Sequence, residues 1–266
     1  MKKFWGFLLV IVLMTSCGEY QSLLKSNDYN LVYKKAIEYY NKGDYQRAMN
    51  LLDGVRSVFV GQAKAQNIAY YRAFCSYNMK DYQIASDLFK QFIQTYPESS
   101  FAEECLYMMG FCDYKASPKP RLEQQVTEKA IREFQLYLSR YPYSMRKDKV
   151  NTYMDEMRDK LSYKAYLSAK NYYLREHYKA AVISLQNCLK DYPGSKYREE
   201  IMYMLFVSKY QMAVNSVEDK KVERYNNARE EYYYFADEYP NSRYAADVKK
   251  MYEDIEAYLE NYKFED

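Results

Sequence analysis

Four times the chain returns to one phrase, Tyr-Pro-x-Ser: Tyr96-Pro-Glu-Ser, Tyr141-Pro-Tyr-Ser, Tyr192-Pro-Gly-Ser and Tyr239-Pro-Asn-Ser. Proline lacks an N–H and disfavours the α conformation in the residue before it, so it ends a helix; a serine two places on can cap the next one. The phrase therefore reads as the end of one helix and the start of another. Its returns are spaced 45, 51 and 47 residues apart, a period typical of helical repeats. Only 7 Gly and 6 Pro stand beside 35 Tyr in 266 residues. That leaves little material for loops and much for broad, half-polar helix faces, so an all-α chain is expected.

Upstream of these stops a second pattern recurs. Tyr33, Ala36 and Tyr40 align with Tyr70, Ala73 and Tyr77, with Tyr107, Gly110 and Tyr114, with Tyr166, Ala169 and Tyr173, and with Tyr203, Phe206 and Tyr210. The first tyrosines are 37, 37, 59 and 37 residues apart. Positions i and i+7 of a helix share a face, and a small residue at i+3 lets a partner helix approach closely. A short turn and a second helix follow: Tyr45, Ala48, Leu52; Tyr82, Ala85, Phe89; Tyr178, Ala181, Leu185. The order small residue, turn, Tyr, Ala, large apolar, Pro resembles the tetratricopeptide repeat. In that motif Ala36, Gly43, Tyr45, Ala48 and Leu52 take the signature places of the first copy, where Val60 replaces the terminal proline; Pro97 and Pro193 close the second and fourth.

Two copies depart from the pattern. In the third, Ala116-Ser-Pro-Lys-Pro stretches the turn before Ala130 and Phe134; in the fifth, Asn215 to Asn227 is expected to do the same before Ala228 and Tyr232. The 59-residue step adds a segment, Lys147 to Leu161, read as an extra helix or a long extension of the fourth copy's first helix. The expected organisation is a leader at 1–16, a linker at 17–28, repeats 1–3 at 29–144, and the extended helix, repeats 4–5 and a capping helix at 145–266. The fold is thus expected to be a solenoid of about five helix pairs, its amphipathic end shielding the stack.

The chain opens MKKFWGFLLVIVLMTSCGEY. The apolar run Phe4 to Met14 would make a helix of about 16 Å, too short for a hydrocarbon core of about 30 Å, and reads as an export signal. Leu13-Met14-Thr15-Ser16-Cys17 resembles a lipobox, which implies that Cys17 becomes an acylated first residue; an ordinary leader with an incidental cysteine is the alternative. Losing Lys2 and Lys3 with the leader lowers the formal charge from +3 to +1, no footprint for nucleic acid. Cys105 and Cys112 lie about 10.5 Å apart along a helix, beyond disulfide reach. They and Cys75 and Cys188 read as small core residues.

Catalysis finds no support. His177, the single histidine, sits in an inter-helix turn, and no glycine-rich phosphate loop, Cys-x-x-Cys pair or HExxH motif occurs. The adjacent pairs Glu103-Glu104, Glu199-Glu200 and Glu230-Glu231 point about 100° apart on their helices, which suits solvated faces rather than an acid/base dyad. No cofactor is expected beyond the lipid on Cys17, and neither a metal nor a small-molecule substrate. What the repeat motif implies is a groove lined by first helices. In the first three copies that groove would carry Tyr33, Tyr40, Tyr70, Phe74, Tyr77, Tyr107, Phe111 and Tyr114, a surface suited to a peptide bearing aromatics. Packing of these rings between neighbouring repeats is the competing role.

The lipobox, five repeats of which four close with Tyr-Pro-x-Ser, the extended fourth copy and some 250 residues after Cys17 together resemble the BamD family, lipoproteins of the outer-membrane β-barrel assembly machine. The resemblance runs over nearly all of the chain from Cys17. It implies a periplasm-facing, outer-membrane-anchored scaffold without chemistry of its own. Its N-terminal repeats would receive aromatic-ended signals of unfolded outer-membrane proteins, and the repeats after Lys147 would dock the barrel-inserting subunit. A lipid-anchored adaptor for another cell-envelope complex is the alternative of a different class.

Overall fold

The computed structural model describes residues 18–262. The leader and Cys17, with the lipidation expected there, lie outside the described residues. A short helical segment at 18–24 precedes α1 (Tyr29–Asn41), α2 (Tyr45–Val55), α3 (Ala63–Asn78), α4 (Tyr82–Thr95), α5 (Ala102–Ala116) and α6 (Gln125–Arg140). There follow α7 (Lys147–Leu174), α8 (Tyr178–Asp191), α9 (Arg198–Val214), α10 (Glu218–Glu238) and α11 (Ala245–Tyr262). No strand occurs among the described residues, and the fold is an all-α solenoid of tetratricopeptide type.

The chain forms two compact units, one running to Pro118 with Glu123–Met157, the other comprising Lys119–Leu122 and the residues from Arg158. In the first, α1 to α6 pack consecutively, and α1 also touches α3. In the second, α8 packs on α9, α9 on α10 and α10 on α11, with α9 also against α11. Val150, Met154 and Met157 of α7 belong to the core of the first unit; Tyr166 and Ala169 of the same helix belong to a core of the second.

The recurring phrase has one geometry in all four places. The tyrosine before each proline leaves the helix at φ −129° and ψ 59°, −127° and 66°, −132° and 64°, −131° and 61°, out of the α region as the following proline requires. Each serine hydroxyl then accepts from the backbone N–H two residues on, in Phe101, Arg146, Tyr197 and Tyr244, at 3.0–3.3 Å. The turns inside repeats share a second geometry: Gly43, Lys80 and Glu176 hold φ +80°, +68° and +59°, and the next N–H reaches back to the carbonyl of Tyr39, Ser76 or Tyr172, a left-handed helix stop. His177 lies in this last turn, exposed, just before α8.

The small residues lie where close approach demands them. Ala36, Ala48, Ala73, Ala85, Ala130, Ala169, Ala181 and Ala228 are fully enclosed, with Leu52, Phe89, Phe134 and Leu185 enclosed beside them. At Gly110 a Cβ would stand 2.9 Å from Cδ1 of Phe134, so this crossing admits no side chain. All four cysteines in the described residues are buried and free, and burial pushes the Cys75 and Cys105 thiols up to about 12.

One expectation is corrected. Asn215 to Asn227 is not a stretched turn: α10 starts at Glu218, because the segment holds neither Gly nor Pro and places Val222, Tyr225 and Ala228 at helical spacing toward the core. Tyr225 stacks on Tyr258 of α11 at 4.3 Å. Of the two readings of Lys147 to Leu161, the structure has the long extension: the segment is the first half of the 28-residue α7, which carries the fourth copy's Tyr166 and Ala169.

Candidate functional site

The first helices of the first unit bring most of the expected rings into one succession. Tyr40 meets Tyr71 at 4.9 Å, and Tyr71 meets Tyr70 at 5.5 Å. Tyr70 lies 4.5 Å from Phe74, Phe74 6.4 Å from Tyr77, and Tyr77 6.2 Å from Phe111. Phe111 stacks between Tyr107 and Tyr114 at 5.7 and 5.9 Å, and Tyr114 stacks on Tyr153 at 4.5 Å. Tyr33 stands apart, against Phe59 at 6.1 Å with the Lys64 ammonium 5.7 Å above its ring.

These rings differ in how much face they offer. Tyr107 is 7 % exposed and packs on Tyr137 at 5.8 Å, so it is a core residue. Tyr33, Tyr40, Tyr70, Phe74, Tyr77, Phe111 and Tyr114 are half-buried. Several of the polar tips are already committed. The Tyr70 hydroxyl donates to Glu104 at 2.9 Å and that of Tyr114 to Glu156. Tyr40 receives a long contact from the Asn78 amide. Burial, reinforced by Glu104, pushes the Tyr70 phenol well up. The bond to Glu156, with burial, raises Tyr114 to about 12, so both stay protonated donors at neutral pH. Cations edge the surface: Arg146 sits 4.8 Å above Tyr107 and 3.6 Å from Glu104, Lys115 is 6.0 Å from Phe111, and Lys149 is 5.9 Å from Tyr153.

Tyr71 and Tyr153 are the members that sequence reasoning missed. Tyr71 sits next to an aligned tyrosine and shows no periodicity of its own. Tyr153 lies in the inserted half of α7, 13 residues before the tyrosine with which that helix was aligned. Its only signal was the apolar spacing Val150, Met154, Met157.

The acidic pairs are corrected too: most are not solvated. Glu103 accepts from Tyr137 at 3.0 Å and Ser144 at 2.7 Å, Glu199 from Ser242 at 2.6 Å, and Glu200 pairs with Lys170 at 2.7 Å. Glu231 is 6 % exposed and paired with Lys209. Glu103 and Glu231 bond across the two helices of one copy, Ser144 and Ser242 stand in the turns that close those copies, and Glu200 reaches the preceding copy, 30 residues back.

In the second unit a cleft of about 730 Å³ opens on α7, lined by Tyr163, Tyr166, Lys170, Leu174, Arg121 and Tyr197, among others. Tyr166 and Tyr197 stack in parallel at 4.4 Å, and the Lys170 ammonium donates to the Tyr166 hydroxyl at 2.8 Å. Lys170 lies one turn beyond Tyr166 on α7; Arg121 arrives from the loop between α5 and α6, which no repeat pattern places.

Half-buried, hydroxyl-capped rings edged by cations compose a surface for contact. No described helix is long and apolar enough to cross a membrane. Among solved structures the chain is similar to a tetratricopeptide-repeat protein of Bacteroides fragilis, at 12% identity and a TM-score of 0.41 over 87% of this chain and 99% of that one. It is also similar to the TPR2AB-domain:pHSP90 complex of yeast Sti1, at 14% identity and 0.39, over 86% and 98%. No curated protein matches. The family described as YfiO, outer membrane lipoprotein, matches over residues 25–200 and 165–265. Since those two stretches take in nearly every repeat described above, the chain belongs to the YfiO family of outer membrane lipoproteins.

Proposed function

We propose that the chain is a periplasm-facing scaffold of the β-barrel assembly machinery, held at the outer membrane by acyl chains on Cys17. The ring face of the first unit receives aromatic-ended segments of unfolded outer-membrane proteins, and the repeats after Lys147 dock the barrel-inserting subunit. The observation that carries this reading is the ring succession from Tyr40 to Tyr153, continuous through three repeats and half-buried along most of its length. An incoming aromatic side chain gains about 0.5–1.5 kcal/mol per ring contact beyond the area it buries. Lys115 and Lys149, at the end of that succession, offer charge to a terminal carboxylate.

The test uses Tyr77 and Phe111, because replacing the core residue Tyr107 would damage the fold instead. Tyr77→Ala with Phe111→Ala is expected to weaken binding of a peptide ending in phenylalanine roughly tenfold by calorimetry, two ring contacts' worth. Unchanged affinity in a folded double variant refutes the peptide face. Recovery of the barrel-inserting subunit with the chain from detergent-solubilised envelope supports the assembly role; its absence favours an adaptor for another envelope complex.

A further inference from the structure

The four Tyr-Pro-x-Ser turns share their backbone but not their outward side chains. The two positions facing out, at x and just after Ser, hold Glu98 and Ser100, Gly194 and Lys196, or Asn241 and Arg243 in three of the turns. In the turn between α6 and α7 they hold Tyr143 and Met145, which are 98 % and 103 % exposed. Side chains so extended contribute nothing to folding, and the three polar turns show that the geometry does not need them.

Charge separates the same turn from the rest. From the residue before the tyrosine to eight residues after it, Arg140, Arg146, Lys147 and Lys149 stand against Asp148 alone. The equivalent stretch at 95–104 has three acids and no cation, that at 191–200 two cations and three acids, and that at 238–247 one cation and two acids. Arg140, Lys147 and Lys149 are exposed. Arg140 donates to the Pro97 carbonyl at 2.9 Å, and Arg146 is held by Glu104 at 3.6 Å.

We propose that this turn is an interfacial tip, which sinks Tyr143 and Met145 into the headgroup region of an anionic lipid surface while the surrounding cations meet lipid phosphates. An aromatic and a thioether on a protruding turn, ringed by positive charge, suit a medium that closes around any protrusion. A protein partner would need a matching pocket ringed with acids. Two side chains and a few cations bind weakly alone. They suffice in a lipoprotein, because anchoring makes the second contact intramolecular. The inference rests on the family assignment and is independent of the barrel-assembly reading.

The test uses the full lipidated chain on phosphatidylcholine vesicles containing about 30 mol% phosphatidylglycerol, whose negative surface potential attracts basic segments. The chain's one tryptophan, Trp5, lies in the leader that is lost when Cys17 becomes the acylated first residue, so an introduced indole is the sole one in the lipidated chain. Tyr143→Trp places an indole at the tip, and Asn241→Trp places one at the equivalent position of the last turn. Sedimentation with the vesicles reports the anchor; blue-shifted emission and quenching by brominated lipid report the tip. The expected result is quenching of the Tyr143→Trp chain only, lowered roughly fivefold by each of Lys147→Gln and Lys149→Gln, equivalent to about 1 kcal/mol per cation at such a surface. Equal quenching of both indoles, or none in a chain that sediments, overturns the proposal. So does equal quenching on phosphatidylcholine alone, a chain that fails to sediment, or a tip shielded only when soluble envelope protein is added.

Discussion

Gly110 and Gly54 are both helical glycines in the first unit, yet the structure assigns them opposite responses to alanine. In solvated helix interiors Gly→Ala gains about 0.5–1 kcal/mol, by narrowing the unfolded ensemble and improving propensity. At Gly54 nothing lies within 4 Å of a new Cβ, so the full gain is expected. At Gly110 the new atom would stand 2.9 Å from Cδ1 and 3.0 Å from Cε1 of Phe134, about half an ångström inside ordinary contact. That ring is fully enclosed and wedged between Tyr107 at 6.3 Å and Tyr153 at 5.9 Å, so it cannot swing aside. Overpacking of this kind costs about 1–3 kcal/mol, which outweighs the propensity gain and leaves Gly110→Ala less stable by about 1–2 kcal/mol. Urea unfolding of the two variants beside the parent measures both shifts, and Phe134→Leu should recover part of the loss in the Gly110→Ala background. If Gly110→Ala proves as stable as Gly54→Ala, the crossing is not closed by Phe134 and the account of the small-residue positions fails.

Two further outcomes follow from the backbone and from one buried carboxyl. Lys80→Gly and Glu176→Gly should each raise stability by about 0.5–1 kcal/mol, since both residues hold a left-handed φ that glycine adopts without strain; a loss in thermal unfolding refutes this. Glu133 is pushed up to about 8 by burial and by its bond to Asp113, against the pull of Lys129, and its Oε2 has no hydrogen-bond partner. The folded chain therefore keeps a proton that the unfolded chain has released, so stability is full below the unfolded pKa near 4.5 and falls as pH rises toward 8. Glu133→Gln should flatten that fall in a urea series across pH 5–8, and an unchanged slope refutes it.

The repeat was legible because its signals are local. A proline that breaks a helix, a serine that caps the next and an alanine at a crossing each act within a few residues, so they recur in the sequence wherever the backbone recurs. The four tyrosines before proline differ by only a few degrees in φ and ψ. The misreading at Asn215 to Asn227 came from forcing a short second helix onto a copy whose extra turns hold ordinary helix formers. The acidic pairs were misread for the opposite reason: taken along one helix they look solvated, and their partners Tyr137, Ser144 and Ser242 stand 34 to 43 residues away, on the copy's second helix or in the turn after it.

The amino-acid order alone thus determined the helices, their pairing into repeats and the faces that carry tyrosine, all consequences of short-range sterics and a period of 3.6 residues. Only the stacked structure decided which rings remain half-open and which, like Tyr107, became core. It also brought Tyr153 onto the same succession and Arg121 beside Tyr163. Contacts between repeats span some 30 to 40 residues, and their partners depend on how each hairpin seats on the next, a packing outcome that no single helix encodes.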